Sequence, residues 1–294
     1  MSEAHVHVQS FSIPLAVLAL VAESIYLRGW LSLRSAFPHL IGGWRLAAFT
    51  AGVVSVLMAV GSPLATLDHQ SLTIHMMKHL LVMTVGAPLL LAGAPLFPLV
   101  CGLPKLFIKS RPPLASVPTR WLDSCRRHPV WCWLAGTIAV IGWHIPGAFQ
   151  SGMQSQWLHN FEDVSFLVAG LLFWSPIVDF SPSATRSPRW SMALYLFLAT
   201  LPCDILSAFL AFCNRQVYYG YFSTTELFGL SALQDQQCAG ALMWIWVTFA
   251  YLIPAVVITM QILSPENLPS QKAERVGCRP IPARLSTGTE AEVL

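Results

Sequence analysis

The segment "DHQSLTIHMMKH", residues 68–79, places His69, His75 and His79 within eleven residues, the last two four apart. Residues at that spacing share one face of a helix, so two imidazoles can hold a single metal ion as the helical HExxH pattern does. Here the intervening residues are Met76, Met77 and Lys78. The glutamate that makes that pattern a hydrolase is missing, so the spacing supports metal binding and not zinc proteolysis. Met76 and Met83 add thioethers, and imidazole with thioether suits copper, Cu(I) above all, with zinc as the alternative. Further along, His144, the trio His159, Glu162 and Asp163, then Asp204 and Asp235 supply more imidazole and carboxylate. Each alone has a plain structural reading, a hydrogen-bonded interface histidine or a packed methionine.

The elements that carry these residues follow from composition. The chain has 294 residues, 55% hydrophobic and 11% charged, against roughly 25% charged in a soluble domain. This composition marks a membrane protein, with lipid as its first partner. Seven apolar stretches approach the ~20 residues that cross a bilayer as helix: 11–28, 44–63, 75–100, 130–149, 158–180, 190–212 and 239–263. The expected fold is an all-α bundle of seven transmembrane helices. Continuous apolar runs exclude a β-barrel, and other backbone would leave amides unsatisfied in lipid. The start "MSEAHVHVQS" lacks the positive region of a signal peptide, so the first stretch reads as a retained helix. Residues 1–10 form an N-terminal arm, 11–263 the transmembrane domain, and 264–294 a polar tail expected to be disordered.

Cytoplasmic loops collect Lys and Arg. Arg28, Arg34 and Arg45, then Lys105 to Arg127, then Arg186 and Arg189, then the tail from Lys272 to Arg284 all fall on one side; only Lys78 and Arg215 do not. The N-terminus is therefore expected outside and the C-terminus in the cytoplasm. The net charge of +3 reflects topology, and nucleic acid is not a partner. On this reading every histidine except His39 and His128 faces the extracytoplasmic side. His75, His79, His144, His159 and Glu162 then converge at one depth from different helices, and ionisable groups in a membrane mark functional sites.

The basic, proline-rich loop at 101–129 reads as a surface connector. Seven cysteines lack CxxC spacing, which argues against a thiol carrier; Cys213 and Cys238 could bridge at the outer face, though two packed thiols are the preferred reading. Pro88 and Pro95 in "APLLLAGAP" permit kinks and close contact. The tryptophans, among them Trp143, Trp157, Trp174, Trp190 and Trp244, read as interface anchors.

"TIHMMKHLLVMTVGAPLLLAGAP", "LHNFEDVSFLVAGLLFWSPI", "YLFLATLPCDILSAFLAF" with "VYYGYF", and "LSALQDQQCAGALMWI" resemble successive signatures of the multi-span CtaG-type assembly factors of caa-type cytochrome c oxidase. The resemblance runs over about residues 40–263. It implies a seven-helix protein of the bacterial inner membrane that is not an enzyme and helps a haem-copper oxidase mature through copper handling on the outer side. Oxidase subunits or copper chaperones would be its partners there. His75 and His79 match the family's HMxxH-like element, His144 the histidine before the helix-four proline, His159 and Glu162 the HxxE element, and Asp235 the DQ element. The family pattern has histidine directly after that glutamate; this chain has Asp163. Either Asp163 supplies an oxygen ligand or this member binds metal differently.

The preferred reading is a polar cup at the outer ends of helices three to seven. In it His75, His79, His144 and His159 bind copper, while Glu162, Asp204 and Asp235 orient imidazoles or ligate. His69 and Asp163 stand at its edge, and Met76 beside it. A copper or proton transporter would need polar residues across the inner halves of the spans, which offer only Glu23, Ser55 and Asp179. A metal-dependent hydrolase would use Glu162 as base. A retinal protein is excluded, because helix seven has no lysine for a Schiff base.

Overall fold

The computed structural model describes residues 13–36, 41–61, 67–104, 124–125, 127–178, 189–218 and 229–263. The arm at 1–10, the tail at 264–294 and most of the basic loop at 101–129 lie outside them. The described residues form an all-helical architecture: α1 (Ile13–Leu33), α2 (Gly43–Gly61), α3 (Leu72–Ala92), α4 (Leu96–Gly102), α5 (Pro129–Trp143), α6 (Pro146–Gln154), α7 (Gln156–Trp174), α8 (Arg189–Phe212) and α9 (Ala232–Leu263). Five of them, α1, α2, α3, α8 and α9, are long and apolar enough to span a membrane; the bent pair α5 and α6 would make six. This is a polytopic membrane protein.

Two of the expected spans are interrupted, each at a proline. The stretch 75–100 is not one helix. α3 opens into a π-helical turn at Leu81–Gly86, where the Ala87 amide donates to Val82, five residues back. Pro88 has no N–H for the Thr84 carbonyl and its ring would crowd that group, so the widened turn relieves the clash. The helix stops at Ala92. The chain then turns through Ala94, whose φ of 49 lies in the left-handed region, and α4 packs back along α1. The stretch 130–149 breaks between His144 and Ile145, and α5 and α6 meet at 74°. Pro146 forces the preceding residue out of helical geometry; Ile145 is extended at ψ 125.

α3 is the most enclosed of the five spanning helices and touches α2, α7 and α9. Small residues let the backbones approach. Gly52 on α2 faces the Leu90 backbone, and Gly170 on α7 faces the Met83 backbone. α7 buries His159, Glu162, Asp163, Phe166, Ala169, Gly170 and Phe173 on one side, a stripe with helical period. Trp157, Phe161, Val164 and Val168 of the same helix are exposed, as a lipid-facing surface requires. Trp157, Trp190 and Trp244 are also exposed. Trp174 is not an interface anchor: it is buried and its indole N–H donates to the Met83 carbonyl at 2.9 Å. Cys213 and Cys238 are both free thiols.

The longest contact in the bundle joins α8 and α9. A Cβ at Gly240 would stand 2.6 Å from the Ala211 nitrogen and 2.8 Å from the Ser207 oxygen, both main-chain atoms that cannot swing aside. Gly240→Ala is expected to cost about 1–3 kcal/mol as overpacking, read as a lower thermal midpoint of the detergent-solubilised protein.

Candidate metal centre

The end of the bundle where α3, α7 and α9 begin carries the polar residues. α3 projects His75, Lys78 and His79 from one face, at spacings of three and four, and α7 answers with His159, Glu162 and Asp163. Asp68, from the turn before α3, closes the set. All seven side chains are buried, Asp68 at 0% and Lys78 at 1% exposure.

Lys78 organises one half. Its ammonium has three N–H groups and three acceptors: Asp68 Oδ2 at 2.6 Å, Asp163 Oδ1 at 2.9 Å and His159 Nε2 at 2.9 Å. Burial alone would raise the Asp68 pKa, but Lys78 and His75 beside it hold the carboxyl well below the usual carboxylate range. Asp68 is thus an acceptor only, so the Nδ1 of His75, 2.6 Å from it, is the donor. This fixes the tautomer of His75 and leaves its Nε2 bare in the neutral ring, as carboxylate–histidine pairs do behind a metal.

The other half is open to an ion. His75 Nε2 and His79 Nε2 lie 3.1 Å apart, and Glu162 Oε1 is 3.4 Å from the first and 3.2 Å from the second. Ligands at about 2.0–2.1 Å from a tetrahedral ion stand about 3.3 Å apart, so this triangle already has the dimensions of a metal-binding face. Among the described residues two triads have ligand atoms within 4.8 Å of one another, His75–His79–Glu162 and Asp68–His75–His159, but Lys78 bonds to Asp68 and His159 of the second. Glu162 Oε2 and His159 Nδ1 have no hydrogen-bond partner and face each other at 3.6 Å.

Not all the residues expected at the site are there. His159 and Asp163 join the cluster, and His69 lies beside it with its ring centroid 5.1 Å from that of His159; burial pushes the His69 imidazole down to about 4, against the pull of Asp68. His144 is held apart. At the α5 break its Nδ1 donates to the Val140 carbonyl at 2.6 Å and its Nε2 faces the Met76 sulfur at 3.2 Å. Asp204, on α8, belongs to neither triad.

Asp235 is occupied elsewhere. It accepts from the Leu72 amide at 2.6 Å, the Ser71 hydroxyl at 2.9 Å and the Thr73 hydroxyl at 2.7 Å, so it caps α3 from another helix. Its neighbour Gln236 pins the chain after α8, accepting from Val217 N at 2.8 Å and donating to the Arg215 carbonyl at 3.2 Å. Asp68 and Lys78 were missing from the expected site. Their signal in the sequence was position: Asp68 stands seven residues before His75, and Lys78 shares the face of His75.

The family described as Cytochrome c oxidase caa3 assembly factor (Caa3_CtaG) matches residues 24–264. The chain belongs to this family. It is therefore a multi-pass protein of the bacterial inner membrane, in a family of assembly factors. Two similar proteins, uncharacterized protein Mb0105 of Mycobacterium bovis and uncharacterized protein MT0111 of Mycobacterium tuberculosis, are each 22% identical over 79% of this chain. The chain spans 36% of the length of these curated relatives. No solved structure matches.

Asp235→Ala should cost about 1–3 kcal/mol, the penalty for stranding buried donors, and leave metal content unchanged; lost metal at an unchanged thermal midpoint would return Asp235 to the ligand set. Lys78→Met leaves Asp68 and Asp163 without their cation and is expected to cost about 3–5 kcal/mol, measured by thermal unfolding in detergent.

Proposed function

We propose that this protein handles copper during assembly of a caa3-type cytochrome c oxidase, holding the ion at His75, His79 and Glu162. The single observation that carries the reading is the 3.1–3.4 Å triangle of His75 Nε2, His79 Nε2 and Glu162 Oε1, sealed inside the bundle. Charge supports it. Asp68 and Asp163 pair with the Lys78 ammonium, and Glu162 faces the imidazoles of His75 and His79. With neutral imidazoles three carboxylates and one ammonium sum to a net charge of −2, which a low-dielectric interior penalises and a divalent cation would cancel. Two imidazoles and one carboxylate suit Cu(II) or zinc. Copper is preferred as cargo because the oxidase that the family's name specifies is a haem-copper enzyme.

Asp68 orients His75, and His159 and Asp163 hold Lys78 so that the ammonium stays out of the triangle. The chain crosses the membrane seven times when α5 with α6 counts as one span and α7 as another. α7 is 19 residues long and fails on apolarity only because its first turns carry the site. The loop charges support an extracytoplasmic position for the cluster, and Lys78, paired inside the bundle, does not count against it. Oxidase subunits or copper chaperones would dock at the same rim.

Purified full-length protein in detergent is expected to bind about one copper per chain by elemental analysis. His75→Ala and Glu162→Gln should each weaken binding at least tenfold while Asp204→Asn does not; equal copper in all four proteins would overturn the assignment. A periplasm-active reporter enzyme inserted between Cys213 and Ser231 should be active, whereas one fused after Leu263 should be silent.

A further inference from the structure

Beneath the polar cluster, between α3, α5, α7, α8 and α9, lies a cavity of ≈ 30 Å³. Its wall is apolar except for Met76, Met83, Met243, Cys203, His79 and His144, together with Thr84 and Tyr251. Three thioethers and a thiol around one small cavity are soft ligands. Met83 and Thr84 reach it from the π-helical turn, an irregularity that clusters at functional sites. That turn is braced by Trp174, which donates to the Met83 carbonyl, and by Trp246, whose indole donates to Thr84 Oγ1 at 2.8 Å.

His144 shows what the cavity is shaped for. The Val140 carbonyl can only accept, so Nδ1 of His144 carries the proton. In the neutral ring Nε2 is then a bare lone pair, and it faces another lone-pair atom, the Met76 sulfur, at 3.2 Å. Neither atom can donate to the other. Nitrogen and sulfur at about 2.0 and about 2.3 Å from a tetrahedral d10 ion stand about 3.5 Å apart, so the pair has the geometry of two ligands of one soft cation.

We infer that this cavity is a second copper site, selective for Cu(I), with His144 and Met76 as its ligands and Met83, Met243 and Cys203 as the sulfurs around it. The inference rests on the reading that the protein handles copper. A monovalent ion with neutral thioether and imidazole ligands keeps its charge, and the excess negative charge of the cluster above offsets it. His79 lines the cavity and is a corner of the upper triangle. It is the wall that the two sites share.

The test uses the full chain in detergent, titrated anaerobically with Cu(I) against a chromophoric cuprous chelator, with X-ray absorption at the copper edge. Wild type should show both sulfur and nitrogen neighbours. Met76→Leu should weaken Cu(I) binding at least tenfold, and Met76→Leu/Met243→Leu should reduce the number of sulfur neighbours, since Leu for Met conserves volume. His75→Ala/Glu162→Gln, which disables the upper triangle, should keep sulfur-coordinated Cu(I). If the methionine variants do not fold, selenium-edge spectra of selenomethionine-labelled wild type should show a copper neighbour. Cu(I) held by nitrogen and oxygen alone and lost in His75→Ala/Glu162→Gln would leave the upper site standing and overturn the lower one. A sulfur shell unchanged in Met76→Leu/Met243→Leu would also overturn it. No copper in wild type would overturn both.

Discussion

A lysine ammonium and three carboxylates lie together inside an apolar bundle, and in so low a dielectric none of these charges tolerates being left without a partner. That constraint sets the register of α3 against α7. Lys78 has to meet Asp163, and His75 and His79 then come level with Glu162, because all three α3 side chains share one face. It also folds the turn before α3 inward, since Asp68 is the acceptor for both Lys78 and His75.

Around this core the helices are shaped by a few local interruptions. Pro146 breaks the fourth apolar stretch directly after His144, leaving that imidazole at a helix end where it can turn back onto the Val140 carbonyl. Pro88 widens α3 and shifts the register of Met83 and Thr84. Asp235 completes the start of α3 from α9, so two helices distant in sequence are tied at the level of the site. Residues of the DQQ segment that resembled part of a ligand set are thus the clamp that holds the ligands' helix.

Side-chain character changes along α3. The upper triangle offers imidazole and carboxylate, which suit harder, divalent ions, and the cavity below offers thioether and thiol, which suit Cu(I). The ring of Phe166 stacks on His79 with centroids 4.2 Å apart and also lines the cavity. His79 therefore sits at the boundary with its ring plane held by packing.

The sequence by itself determined that the chain is an α-helical membrane protein, because apolar runs near bilayer length are a one-dimensional property. It also determined that His75 and His79 share one helix face, because i, i+4 spacing on a helix requires no tertiary information. His159, Glu162 and Asp163 were legible as members of a polar cluster because charges in a spanning stretch are costly wherever they end up. Which groups meet was decided only by the tertiary structure. Asp235 and His144 looked equivalent to His159 by depth, yet Asp235 is consumed by α3's free amides and His144 faces sulfur. Lys78 looked like a stray charge and proved to be the cation that fills half of the cluster. Depth along a membrane normal can be counted from sequence, but the azimuth of each helix cannot. Azimuth follows from packing small residues such as Gly170 and Gly240 against neighbouring backbones and from pairing every buried charge.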